Sequence, residues 1–194
     1  MPYPVVHVLF FVFCICAVAV YTAIRSLLYR ELSLKDSVKI ALLLLTGSFF
    51  ALFPDIPAAF NFIINGNLEH CYIGSIPTHS FLFGSFAILL GTIIGYVAYR
   101  EFDKAIYMGI FAEAAFLSHL LLDDFSEGGF NYLYPIYNGR ISIFSLMDAG
   151  FKGNGLFMYL TKSFISVFFI SLIIMMALFA LNKLGFEFRY KSEK

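Results

Sequence analysis

The residues able to do chemistry fall in four short segments of this sequence. His7 stands near the start, Asp55 in Phe53-Pro54-Asp55-Ile56-Pro57, and His79 in Pro77-Thr78-His79-Ser80. His119 and Asp123 share the run Ser118-His119-Leu120-Leu121-Leu122-Asp123-Asp124. On a helix the i to i+4 spacing of His119 and Asp123 puts both side chains on one face, with Cβ atoms about 5–6 Å apart, so both can reach one ion. Asp55 and His79 would complete a four-ligand set, with His7 bridging to a second ion or orienting a substrate. Imidazole and carboxylate together suit a divalent metal: Zn²⁺ first, with Mn²⁺ or Fe²⁺ in a more open site. Such an ion polarises a scissile group and lowers the pKa of bound water towards about 7. A carboxylate, Asp123 or Asp124, would then accept the proton. Each residue also has a plainer role open to it. Pro54-Asp55 can stop a helix, His119 can hydrogen-bond inside a bundle, and Asp124 can be a solvated loop residue. What sets the group apart is that four apolar stretches each begin or end on one of these residues.

Those stretches are long and apolar. The 194 residues are 60% hydrophobic and 13% charged, with a mean hydropathy of +0.83. Soluble domains carry about 25% charged and about 45–50% apolar residues, so a bilayer is the expected solvent for the excess. With 13 basic and 13 acidic residues, the net charge gives no reason to expect a nucleic-acid partner. The expected partner is membrane lipid. A helix needs about 20 mostly apolar residues to cross a hydrocarbon core. Five stretches meet or approach that length: Val5–Ile24, Val38–Pro54, Pro77–Tyr99, Lys104–Asp123 and Leu156–Asn182. The expected fold is therefore all-α, a polytopic membrane bundle of about five transmembrane helices forming one domain over residues 1–194.

Orientation follows from the basic residues. Arg25, Arg30, Lys35 and Lys39 follow the first stretch, Arg100 and Lys104 the third, and Lys183, Arg189, Lys191 and Lys194 the last; the other side holds Arg140, Lys152 and Lys162. Alternate loops are basic, as five spans with the N-terminus outside and the C-terminus cytoplasmic require. Ala17-Val18-Ala19 resembles a cleavage site, yet no basic residue precedes the first apolar run, a charge order that retains it as a span. All four histidines, His70 included, then fall on the extracytoplasmic side of a cell (inner or plasma) membrane. Residues 55–76 read as loop and turn, with Phe60–Ile64 along the interface. Residues 124–155 read as a Gly-rich, aromatic-rich loop suited to headgroup depth.

Other polar residues carry weaker signals. Glu113 lies deep in the fourth stretch but about 120° around the wheel from His119, which argues against its being a direct ligand. Glu69 and His70 fall in a flexible loop. Arg140 can meet a phosphate or anchor at the interface, and Ser80 lacks the context of a nucleophile. Cys14, Cys16 and Cys71 match neither a disulfide framework nor a metal-ligand spacing.

In order and spacing these segments resemble the YdjM family of inner-membrane, metal-dependent hydrolases. Its pattern has an early His, Pro-Asp-Ile-Asp, His-Arg-Gly-x-Thr-His-Ser and Ser-His-x-x-x-Asp, then a Gly and a Pro. Here those positions read His7, Pro54-Asp55-Ile56-Pro57, Gly74-Ser75-Ile76-Pro77-Thr78-His79-Ser80, Ser118-His119 to Asp123, Gly128-Gly129 and Pro135. The resemblance covers about residues 1–140. It departs at Pro57, where the pattern has a second Asp, and at Gly74 and Ser75, where it has His and Arg; these bear on a second metal or a substrate contact. In ligand order alone the chain is also distantly similar to zinc-dependent phospholipase C and the single-strand nucleases, although no histidine follows His119. These likenesses imply a membrane-bound, metal-dependent hydrolase acting on a phosphoester such as a lipid headgroup. The alternatives are a metal-binding membrane protein without catalysis, serving structure, sensing or transport, and a plain scaffold.

Overall fold

In hydrocarbon every backbone polar group must be satisfied within the segment, and the helix is the simplest solution for a single apolar run. The computed structural model describes residues 4–28, 33–66, 72–127, 129–143, 169–170 and 172–187, and these are mostly helical. Helix α1 (Pro4–Leu9) runs through a π-helical turn (Phe10–Ile15) into α2 (Ala17–Leu28). Helix α3 (Leu34–Phe50) leads through a short 3-10 turn (Phe53–Asp55) into α4 (Ile56–Asn65). A two-residue hairpin, β1 (Tyr72–Ile73) and β2 (Ile76–Pro77), precedes α5 (Phe81–Tyr99) and α6 (Phe102–Glu127). Helix α7 is the short apolar Leu172–Lys183.

Local chemistry sets the boundaries that matter for the site. Ser33 and Asp36 form a reciprocal capping box at the start of α3, satisfying two amide donors that a helix start leaves open. Pro54 falls in the first turn of the 3-10 segment and Pro57 in the first turn of α4, where a missing N–H costs nothing. At the start of α5, Ser80 Oγ accepts from the Phe83 amide at 3.2 Å and donates to the Pro77 carbonyl at 2.7 Å. Ser80 is thus a helix cap that fixes the residue before it, His79.

Helices α5 and α6 are antiparallel neighbours across a seam of small residues. A Cβ added at Gly91 would lie 2.5 Å from Ala112 Cβ, and one at Gly95 2.6 Å from Met108 Cβ. Small residues of this kind let two backbones approach in a membrane, where apolar burial gives no drive for association. Helix α6 is the central one: 72% of its membrane-length window is buried, against 28% for α5. Its inner face packs on Phe11, Phe50 and Leu43 in the core. Gly91→Val should therefore destabilise the protein by at least about 1–3 kcal/mol through overpacking, read as a lower melting temperature in detergent. Leu89→Val, at a side chain 56% exposed, should stay within about 0.5 kcal/mol.

Two helices, α5 and Phe102–Asp124 of α6, are long and apolar enough to cross a membrane, and up to four crossings result if each bent pair counts as one. The first expected stretch is such a pair, bent by 77° between Pro4–Ile15 and Ala17–Leu28, and the second is bent by 47° between Leu34–Phe50 and Phe53–Asn65. Most of the fifth stretch lies outside the described residues, as do Arg30, Glu69, His70, Cys71 and residues 144–155. Two loop readings change. Residues 56–65, read as loop, form α4, because Pro57 and the apolar run after it favour a helix that stops at Gly66 with φ 70°. Helix α6 also continues past Asp123 to Glu127.

Candidate metal centre

Each donor is delivered by a different structural device. Asp55 closes the 3-10 turn after α3, His79 follows β2 and precedes the Ser80 cap, and His119 and Asp123 project from one face of α6. One ligand atom from each of these four side chains lies within 4.8 Å of all the others. Asp123 Oδ2 is 3.0 Å from His119 Nε2 and 3.1 Å from His79 Nε2. The two Nε2 atoms are 3.3 Å apart. Asp55 Oδ1 stands at 3.6 Å from His119 Nε2 and 3.7 Å from His79 Nε2.

The protonation pattern follows from the surroundings. His119 Nδ1 is 2.7 Å from the Ala51 carbonyl, which can only accept, so Nδ1 carries the hydrogen. In the neutral ring Nε2 then presents a lone pair. His79 Nδ1 meets Thr78 Oγ1 at 3.1 Å, leaving its Nε2 turned to the same point. Two imidazole nitrogens and two carboxylate oxygens therefore face one another in a nearly dry space. His79, His119 and Asp123 are buried, and the Asp55 side chain is 16% exposed. A proton can bridge one pair of these atoms, whereas a metal ion serves all four. Donors held about 2.0–2.2 Å from a tetrahedral zinc lie about 3.3–3.6 Å apart, which is the scale of the separations found. The outer hydrogen bonds to Ala51 and Thr78 are those that commonly orient metal-bound histidines.

His7 also reaches the centre, but on its far side. Its ring stacks on His119 with centroids 3.8 Å apart, and its Nε2 is 3.3 Å from Asp123 Oδ1, the oxygen not shared by the other two histidines. It is buried, and its Nδ1 has no hydrogen-bond partner among the described residues. His7 thus packs beside His119 and Asp123 without joining the four-atom group.

Asp124, a candidate base in the sequence reading, is neither solvated nor part of that group. It is 1% exposed, and its Oδ2 accepts the Ile143 amide. Its neighbour Tyr132 donates to the Leu120 carbonyl at 3.3 Å, and burial, with Asp124 and Asp123 nearby, raises the phenol above its ordinary pKa and keeps it protonated. Phe130 pairs with Ile141 across an antiparallel bridge and stacks on His79 at 4.8 Å between centroids. The segment 129–143 is thus pinned over the centre by Asp124. Asp124→Ala should cost about 1–3 kcal/mol, the penalty for an unsatisfied buried amide, and should speed hydrogen exchange at Phe130 and Ile143 without removing metal.

The remaining candidates are placed plainly. Glu113 faces α5, where its Oε1 would lie 2.8 Å from a Cβ at Gly84, and it stands outside the four-atom group. Arg140 is exposed and its Nε donates to the Gly129 carbonyl at 3.0 Å. Gly74 has φ 64° in the hairpin turn, so this chain uses for a tight reversal the position at which the family pattern has a histidine. Sequence reasoning missed the Ala51 carbonyl, which no side chain signals. It also missed Phe130 as a cover for His79, of which the aromatic loop gave a general sign.

A model of the YdjM inner membrane protein family matches residues 4–187. No curated protein and no solved structure matches the chain.

Proposed function

Because the chain belongs to the YdjM inner membrane protein family, we propose that it is a membrane-bound, metal-dependent hydrolase acting on a phosphoester of a lipid headgroup. The observation that carries this is the convergence of Asp55, His79, His119 and Asp123 on one point within 4.8 Å. The nitrogen and oxygen donor set fits zinc best, and a bound ion there would supply Lewis-acid polarisation of the ester and an acidified water. The chain's own residues do the rest. Ala51 and Thr78 hold the two imidazoles with Nε2 inward, His7 stacks on His119 beside Asp123, and Phe130 keeps water from His79. Asp123 is the carboxylate we assign to receive the proton, because Asp124 is committed to Ile143. Five spans with the N-terminus outside, and a centre on the extracytoplasmic side, are supported by the alternation of basic loops.

A structural metal has one observation in its favour: four protein donors fill a tetrahedral shell, whereas catalytic sites keep a position open. Asp55 speaks for catalysis. It has the longest separations, 3.6 and 3.7 Å, and its side chain is the most exposed of the four at 16%, although Oδ1 itself is buried, so it is the donor best placed to yield to a substrate. The test is release of phosphate or headgroup from phospholipid and isoprenoid phosphates by zinc-loaded protein in detergent. Asp123→Asn, which weakens a metal donor and removes the assigned proton acceptor together, should lower turnover by on the order of a hundredfold or more. Equal rates from wild type and Asp123→Asn would overturn the hydrolase reading.

A further inference from the structure

Beneath the metal centre runs an apolar groove of about 420 Å³, within the range of about 300–1,000 Å³ typical of small-molecule sites. The first bent pair and α3 supply most of its lining, Phe111, Leu181 and Phe186 complete it, and no charged side chain among the described residues lines it. The 77° bend at Cys16, a lining residue, falls within it, after the π-helical turn Phe10–Ile15. Such turns concentrate at functional sites. Small residues of α2 and α3, Ala23 and Ala41 among them, lie along the groove.

The end of this groove belongs to the helices that build the centre. Phe11 lies one turn after His7, Gly47 one turn before Ala51, and Phe111 two turns before His119, which separates groove and centre by about 6–12 Å along the helices. The Phe11 and Phe111 rings meet at 5.3 Å between centroids. Gly47 allows this: a Cβ there would be 2.7 Å from Phe11 Cε1. The Phe11 and Phe111 rings therefore mark the end of the hydrocarbon-lined trough that lies next to the polar centre. Free phosphate or a small polar ester has no use for the trough, whereas an amphiphile uses both ends.

We propose that the groove holds the hydrocarbon chain of a long-chain phosphomonoester whose phosphate lies at the Asp55, His79, His119 and Asp123 group; this rests on the hydrolase reading. The test uses full-length, zinc-loaded protein in detergent and octadecyl phosphate carrying a diazirine near the end of its chain, with adducts located by peptide mass spectrometry. Labelling is expected on the α2 and α3 walls around Ala23 and Ala41. It should fall at least about tenfold in Ala23→Phe and in Ala41→Phe, positions half-buried and exposed where a ring fills the groove without entering the core. Octadecanol with the same diazirine should label at least about tenfold less than the phosphate. Equal labelling by the alcohol, or adducts only outside the groove, would overturn the proposal. Neither readout needs turnover. Expected labelling without hydrolysis would sink the hydrolase reading and leave the tail site standing. Equal hydrolysis of butyl and octadecyl phosphate would sink the tail site alone.

Discussion

His119→Ala is expected to leave the purified protein without retained zinc, with affinity lower by well over about a hundredfold. Loss of an outer hydrogen bond to a metal-bound histidine already costs about 10–100-fold, and this substitution removes the donor itself. It also removes a ring whose direction is fixed by a short bond to a backbone carbonyl, that of Ala51 at 2.7 Å. Asp123→Ala should do the same, because Asp123 Oδ2 is the carboxylate oxygen nearest the Nε2 atoms of both His79 and His119. His119→Gln, closer to histidine in volume, separates metal loss from misfolding. It should elute as the wild type does from size exclusion yet carry little zinc by elemental analysis. Undiminished zinc in both His119→Ala and Asp123→Ala would remove the ligand assignment.

Stripping the ion from the intact protein is expected to lower its melting temperature by roughly 10 °C. A ligand bound to the folded state alone at a thousand times its dissociation constant stabilises by about 4 kcal/mol. For chains of about 150–250 residues, each kcal/mol moves the melting point by about 2–4 °C. The physical origin lies in the centre. Two carboxylates and three imidazoles are held together with little water, and unpaired charge there is costly. The fall should reverse on adding zinc back. It should be absent in His119→Ala, which starts without the ion, and a chelator that moves both proteins equally would point to another cause.

Much of the centre was legible in the sequence because its strongest element is local. His119 and Asp123 need only a helix to share a face, and α6 provides it. Asp55 and His79 were legible as polar residues at the ends of apolar stretches. The role of Ser80 followed from no motif, yet a serine just before an apolar run, accepting from the amide three residues on at Phe83, is an ordinary helix cap. What escaped depends on contacts distant in the chain. The Ala51 carbonyl is free to meet His119 because a 3-10 turn follows α3 there, and no residue type announces that. The stack of His7 on His119 depends on where α1 enters the bundle. Asp124 looked solvated because its neighbours in sequence are polar, whereas its true partner, Ile143, lies 19 residues on. The bends in the first and second stretches escaped for a similar reason. Hydropathy counts apolar residues and is blind to a bend such as that at Cys16.

The most direct measurement of the centre is X-ray absorption at the zinc edge of the loaded, detergent-purified protein. Four nitrogen or oxygen scatterers at about 2.0–2.1 Å, with outer-shell scattering from two imidazoles that drops to one in His79→Ala, is the predicted result. A spectrum without imidazole scattering, or one unchanged by His79→Ala, would contradict the assignment of this cluster as a metal centre.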